Sequence, residues 1–307
     1  MNVKTLFLYD HTTCVRGISV LLIAIFHVLL EWGDMPRYIN LTGSVCVAAF
    51  LFLSGYGIHE SFKKNGLCKY WQKRFKRIIL PYTLFVTALI PFRHNFEWSD
   101  YLLDITYIHS SYWFIEYIVW NYLVYWIAQR FFSKYINIVF LVFGLFSLNM
   151  LMQIEAEQSF SFWGGYICSE HIKKIHSLTN YKIKKIVVFS FCLGFFFLLL
   201  KEIPCIHTFK GTLPYHYILL MIKLPMAIPL LLLPAYFPFL IRSRLLYLSG
   251  ISSLEIYLIH LALLDYIDTS YYRLILYVVS TIILTYLFYK INMILSKKIN
   301  TYIYKIE

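Results

Sequence analysis

Charge is what this sequence has least of. Only 14% of its 307 residues are Asp, Glu, Lys or Arg and 60% are hydrophobic, whereas a soluble domain carries about a quarter charged residues. That excludes an ordinary soluble globular protein. A disulfide framework is missing as well. Of the six cysteines, Cys14, Cys46, Cys168 and Cys192 lie within or at the ends of apolar runs, and Cys68 sits in a basic loop. Cys205 alone falls where an oxidising side is expected, without a partner there, so a secreted disulfide scaffold is excluded. No two histidines stand at ligand spacing on a helix beside a carboxylate, His171 and His176 being five apart in a basic loop, so no metal site is expected. No glycine-rich loop precedes a Lys-Ser/Thr pair, which removes a nucleotide phosphate cradle. GYG at 55–57 occurs once and without a pore-loop context, so a channel filter is not expected. Internal repeats, linkers and loops long enough for a soluble domain are all lacking, and residues 1–307 read as one domain. The N-terminal stretch MNVKTLFLYDHTTC has no cleavage pattern, so the first helix is expected to stay as an anchor.

Long apolar runs and aromatic rings are abundant. Mean hydropathy is +0.64, and the chain has 27 Tyr and 26 Phe, rings that settle at the membrane–water interface. The runs are long and continuously apolar where a transmembrane barrel needs short alternating ones. The expectation is an all-α polytopic membrane protein with about ten spans. The segments lie near 16–33, 41–60, 78–94, 112–131, 136–152, 159–171, 186–202, 216–238, 250–267 and 273–293. Pro81 falls in the first turn of the third, where its missing N–H costs little. Pro225, Pro229 and Pro234 are expected to kink the eighth.

The net charge of +12 belongs to topology and not to nucleic-acid binding. The loop at 61–77 carries Lys63, Lys64, Lys69, Lys73, Arg74, Lys76 and Arg77, and that at 172–185 carries Lys173, Lys174, Lys182, Lys184 and Lys185. With both termini cytoplasmic these fall inside, together with Lys4, Arg130, Lys134, Arg242, Arg244, Lys290, Lys297, Lys298 and Lys305. Only Arg37, Arg93, Lys201, Lys210 and Arg273 fall outside.

Polar groups within spans are rare and mark function by default. In RGISVLLIAIFH, Arg16 and His27 are eleven residues apart. At about 100° and 1.5 Å per residue they share a face, within about 20° of each other and about 16–17 Å apart along the axis. Histidine can act as a base near neutral pH, and arginine suits anion binding; a snorkelling arginine and a hydrogen-bonded histidine would read the same. Arg74 and Arg77, one turn apart in KRFKRIILP, could clamp phosphates or could serve as ordinary inside charge. In GISSLEIYLIH, Gly250, Ser253, Tyr257 and His260 follow helical spacing on one face with Glu255 off it, as a wet cavity or an interhelical contact would require. Glu116, Asn121 and Lys223 read as structural partners.

Six stretches, in order over most of the chain, resemble the integral-membrane acyltransferase 3 family, which includes bacterial O-acetyltransferases of surface polysaccharides. RGISVLLIAIFH is similar to the family's first-helix Arg-x10-His motif and FLFLSGYG to its Ser-Gly-aromatic stretch. RFKRIILP is similar to its Arg-x-x-Arg-Ile element and YWFIEYIVWNYL to its Trp-Phe stretch. FWGGY is similar to a later Gly-aromatic position, and LSGISSLEIYLIH to a late Ser…Tyr-x-x-His. Thr13 stands where the family often has Asp, and Glu116 after Trp113-Phe114 is also a departure. The appended esterase-like domain of some members is not expected within residues 1–307.

The resemblance implies a multi-pass enzyme of the plasma (inner) membrane. It would transfer an acyl group, commonly acetyl, from cytoplasmic acyl-CoA to a hydroxyl of a capsule, O-antigen, exopolysaccharide or lipid-linked glycan. It implies His27 as catalytic base and Arg16 as a group that binds or polarises the donor. Arg74 and Arg77 would hold the CoA phosphates, and Tyr257, His260 and Ser253 would line the acceptor side. Acetyl-CoA is then a donor substrate, and no tightly bound cofactor or metal is implied. Direct transfer and a covalent acyl intermediate both fit. The spacing agrees with this division, since phosphate-binding arginines belong where CoA is dissolved and a base about three turns deeper needs a long donor arm. A transporter of an anionic solute or glycan would also use polar stripes and proline-bearing helices.

Overall fold

A computed structural model describes residues 3–31, 39–93, 97–266 and 270–306. Arg37 lies outside them, as does the side chain of Lys305. The described residues form helices and no strand. In chain order the main helices are α1 (Tyr9–Glu31), α2 (Ile39–Asn65), α3 (Tyr70–Phe92), α4 (Trp98–Thr106), α5 (Trp113–Phe131) and α6 (Ile136–Met150). They continue as α7 (Ser161–Glu170), α8 (Asn180–Lys201), α9 (Leu213–Tyr236), α10 (Arg244–Ile251), α11 (Ser253–Leu263) and α12 (Tyr271–Ile306).

Seven of these are long and apolar enough to cross a membrane, and the broken pair α10 and α11 makes an eighth if counted as one span. Two of the ten expected segments fall short for separate reasons. α5 has the length, with 19 residues, but Glu116, Asn121, Gln129 and Arg130 dilute its apolar surface. α7 has only 10 residues. The expected span at 250–267 begins earlier and breaks at Ser252. α9 runs unbroken through Pro225, Pro229 and Pro234; each lacks an N–H and releases one carbonyl of the preceding turn.

The chain divides into two compact units, one of Met1–Ile23, Arg37–Leu67 and Tyr117–Ile251, the other of Ala24–Pro36, Cys68–Glu116 and Ser252–Glu307. In the first, small residues set the packing. A Cβ on Gly55 of α2 would run into the Phe162 carbonyl oxygen, and one on Gly165 of α7 into the Phe52 carbonyl oxygen. Each helix thus seats its backbone on a glycine of the other, the close approach that holds helices together in lipid. α1 and α10 repeat the device, with Gly17 under the Leu246 carbonyl and Gly250 under the Thr13 carbonyl. Ala48, Ala49, Ala227 and Ala235 continue the small-residue surface in a core completed by Val15, Phe52, Leu53 and Leu231. Phe189, Phe195, Phe196 and Leu199 stay exposed along α8, the face that hydrocarbon would cover.

In the second unit α12 lies along α11, and the amide of the buried Asn292 donates to the buried Glu255 carboxylate at 2.9 Å. Ile275, Ile282, Ile283 and Leu284 of α12 are exposed, again a lipid-type surface. α3 is not uniform: Phe75–Ile79 form a π turn between two α-helical stretches. Such turns interrupt helices frequently at functional sites.

Candidate active site

The second unit brings His27 of α1 and His260 of α11 into direct contact. His27 Nδ1 and His260 Nε2 are 3.1 Å apart, and the rings stack with centroids 5.2 Å apart at 30°. His260 is completely buried, while His27 is half-buried. The partners fix the protons. His260 Nδ1 lies 2.7 Å from the Ile256 carbonyl oxygen, which can only accept, so Nδ1 carries the hydrogen. In a neutral ring, His260 Nε2 then holds a lone pair and accepts from His27 Nδ1–H. The neutral His27 ring is left with its lone pair on Nε2. A backbone carbonyl one turn away therefore determines which nitrogen of His27 can take a proton.

α11 holds this relay in register. Tyr277 Oη of α12 donates to the His260 carbonyl at 3.3 Å. Tyr257, buried on the same helix, sets its ring 5.8 Å from that of His260. Phe114 and Tyr112 pack on Tyr257 with centroids at 5.4 and 6.4 Å. The turn carrying these two aromatics is pinned from below. The Asp104 carboxylate, buried and paired with Arg93 at 2.7 Å, accepts from Ser111 N–H at 2.8 Å and from Ser110 Oγ at 3.2 Å. Glu116 accepts from the N–H groups of Ser110 at 2.7 Å and His109 at 3.2 Å. Glu116, a departure in the sequence, is thus a backbone clamp. Asp104 gave no sequence signal, because its role depends on turns at positive φ (Tyr107 and His109).

Arg16 is half-buried on α1, which is continuous from Tyr9 to Glu31. Ser253 is half-buried at the first turn of α11. Arg74 and Arg77 do not form a matched pair. Arg74 is buried with its guanidinium 5.1 Å from the centroid of Tyr70, while Arg77 is exposed, because the π turn that begins at Phe75 and contains Arg77 changes the angular step. Neighbouring Lys76 donates to Asn300 of α12. Asn121 donates to the Tyr117 carbonyl of its own helix at 2.8 Å, and Lys223 pairs with Glu157. Among the described residues no group of three or more His, Cys, Asp or Glu could hold a metal ion.

No curated protein and no solved structure matches the chain. A family model described as an acyltransferase domain, that of the acyltransferase 3 family, matches residues 13–290. The match contains Arg16, His27, Arg74, Arg77, Ser253, Tyr257 and His260, and it decides between acyltransferase and transporter. A chain of apolar helices matched over nearly its whole length belongs to the acyltransferase 3 family and is a membrane acyltransferase.

Proposed function

We propose that the chain moves an acyl group, acetyl in the simplest case, from cytoplasmic acyl-CoA to a hydroxyl of a cell-surface or lipid-linked glycan in the plasma membrane. The observation that carries this reading is the hydrogen-bonded chain from the Ile256 carbonyl through His260 to His27, which leaves His27 Nε2 as the basic atom. Nε2 takes the proton of the acceptor hydroxyl as its oxygen attacks the thioester carbonyl carbon. The new C–O bond forms, the C–S bond breaks, and the departing thiolate takes the proton back from His27. A well-placed base contributes about 10²–10⁴-fold, or about 3–5 kcal/mol at the transition state. His260 acts through His27 and is a positioning residue. As His27 gains charge, the buried His260 lone pair faces the Nδ1–H and stabilises the imidazolium without itself exchanging a proton.

Arg74 and Arg77 serve the donor's phosphates, where an exposed guanidinium makes first contact and a buried one gives a fixed charge. Arg16 serves the donor along the His27 face, and Ser253 with Tyr257 serves the acceptor. The test supplies acetyl-CoA, labelled in the acetyl group, to membranes containing the protein and its native glycan. Free CoA thiol and glycan-bound label are expected in equal amounts. Thiol release with the label remaining in small molecules would make the protein a hydrolase and overturn the reading.

A further inference from the structure

The first unit contains a cavity of about 430 Å³ that the acyl-transfer chemistry does not use. It is a size suited to a small ligand. It opens where α8 ends and α9 begins, the end that the basic-loop asymmetry assigns to the outer side. Lys223 of α9 and Glu157 line it and pair with each other, with side chains 7% and 6% exposed. An ion pair this buried is a weak source of stability, and its ionisable groups point to function in a spanning helix. Burial pushes the Glu157 carboxyl up, and the Lys223 ammonium opposes this.

The rest of the lining is mixed, with Leu41, Leu219 and Ile222 apolar and the other side chains polar. Ser44 bonds the Glu157 carboxylate, and Gln153 with the buried Tyr215 offers an amide, a hydroxyl and an aromatic ring, groups that recognise a sugar through its hydroxyls and its apolar face. At the rim, Lys201 pairs with Glu202 at 3.1 Å, and His207 lies 4.0 Å from the same carboxylate. Both glutamates of the lining are therefore matched by a lysine. Lys210, exposed at the rim, has no carboxylate partner among the described residues, and it gives the cavity a surplus positive charge.

We propose that this cavity binds an anionic saccharide unit, its hydroxyls held by the neutral side chains and its charged group by Lys210. The inference rests on the proposed function only in taking this unit as part of the acceptor glycan. The negative group can be the carboxylate of an acidic sugar or a sugar phosphate.

The experiment measures equilibrium binding to the full chain in nanodiscs, using tri-galacturonate, glucose 1-phosphate and neutral maltotriose as probes. One or both anionic probes are expected to bind about tenfold more tightly than maltotriose, and whichever does identifies the charged group. Lys210→Ala is expected to bring that preference to within about twofold and to leave maltotriose unchanged; Lys210 is exposed in a loop, so this variant spares the packed core. Equal binding of all three, no binding of any, or a preference that survives Lys210→Ala would overturn the inference. The assay reads binding and not transfer, so its failure leaves the acyl-transfer reading standing. Intact binding with no label transfer would overturn that reading alone.

Discussion

Replacing His260 by leucine removes one acceptor atom from the relay and leaves His27 in place. His27 Nδ1–H loses its partner at 3.1 Å, and Ile256 loses the donor at 2.7 Å that fixed the tautomer. A neutral hydrogen bond is worth about 0.5–1.5 kcal/mol net, and a buried group left unsatisfied costs about 1–3 kcal/mol. His27 is half-buried, so part of the loss is recovered by ring rotation. The part expressed at the transition state is then about 1.4–2.7 kcal/mol, a fall of about 10–100-fold in kcat. The donor's KM should not move, because His260 is completely buried and touches no donor. His260→Gln retains an acceptor oxygen and should recover most of the rate, which a purely structural role would not predict. Steady-state label transfer with correctly inserted protein measures all three. An unchanged kcat in His260→Leu would refute the relay, and a loss as deep as that of His27→Ala would make His260 a reacting group.

Other consequences are equally specific. Arg77→Ala should raise the acyl-CoA KM about 2–5-fold at constant kcat, the size of an exposed ion contact, whereas Arg74→Ala, which also strips the Tyr70 ring, should raise it further; a KM unmoved by both changes would sink phosphate binding. Gly165→Ala drives a methyl into the Phe52 carbonyl, while Gly57 has nothing within 4 Å of an added Cβ. Thermal unfolding in detergent should show Gly165→Ala strongly destabilised and Gly57→Ala neutral or more stable by about 0.5–1 kcal/mol; equal midpoints would contradict the backbone approach. Lys223→Met leaves Glu157 buried without its cation and should cost about 3–5 kcal/mol, whereas the double change Lys223→Met with Glu157→Leu should restore most of that. A double variant no more stable than the single one would show that the pair is not coupled.

Much of the fold was legible because lipid imposes long apolar runs, and eight of the ten expected segments correspond to spans or to the broken pair. Two kinds of information were not. Ser252 breaks the ninth segment and a π turn runs through Phe75–Ile79, and neither has a residue signature as strong as a proline within α9, where the helix nevertheless continues. The shared face of Arg16 and His27 followed from helix geometry alone. The partner of His27 did not, because His260 lies 233 residues away and periodicity along one helix carries nothing about its neighbour. The glycines of FLFLSGYG and FWGGY looked like parts of a signature. The structure gives Gly55 and Gly165 a packing role, with each helix's carbonyl against the other's glycine.

Whether the lone pair on His27 Nε2 drives acyl transfer is read by label transfer from acetyl-labelled acetyl-CoA to the native glycan in membranes holding equal amounts of inserted wild type and His27→Ala. Label is expected in the glycan with wild type, and a loss of about 10²–10⁴-fold is expected with His27→Ala. Full transfer by His27→Ala would contradict that role for the lone pair.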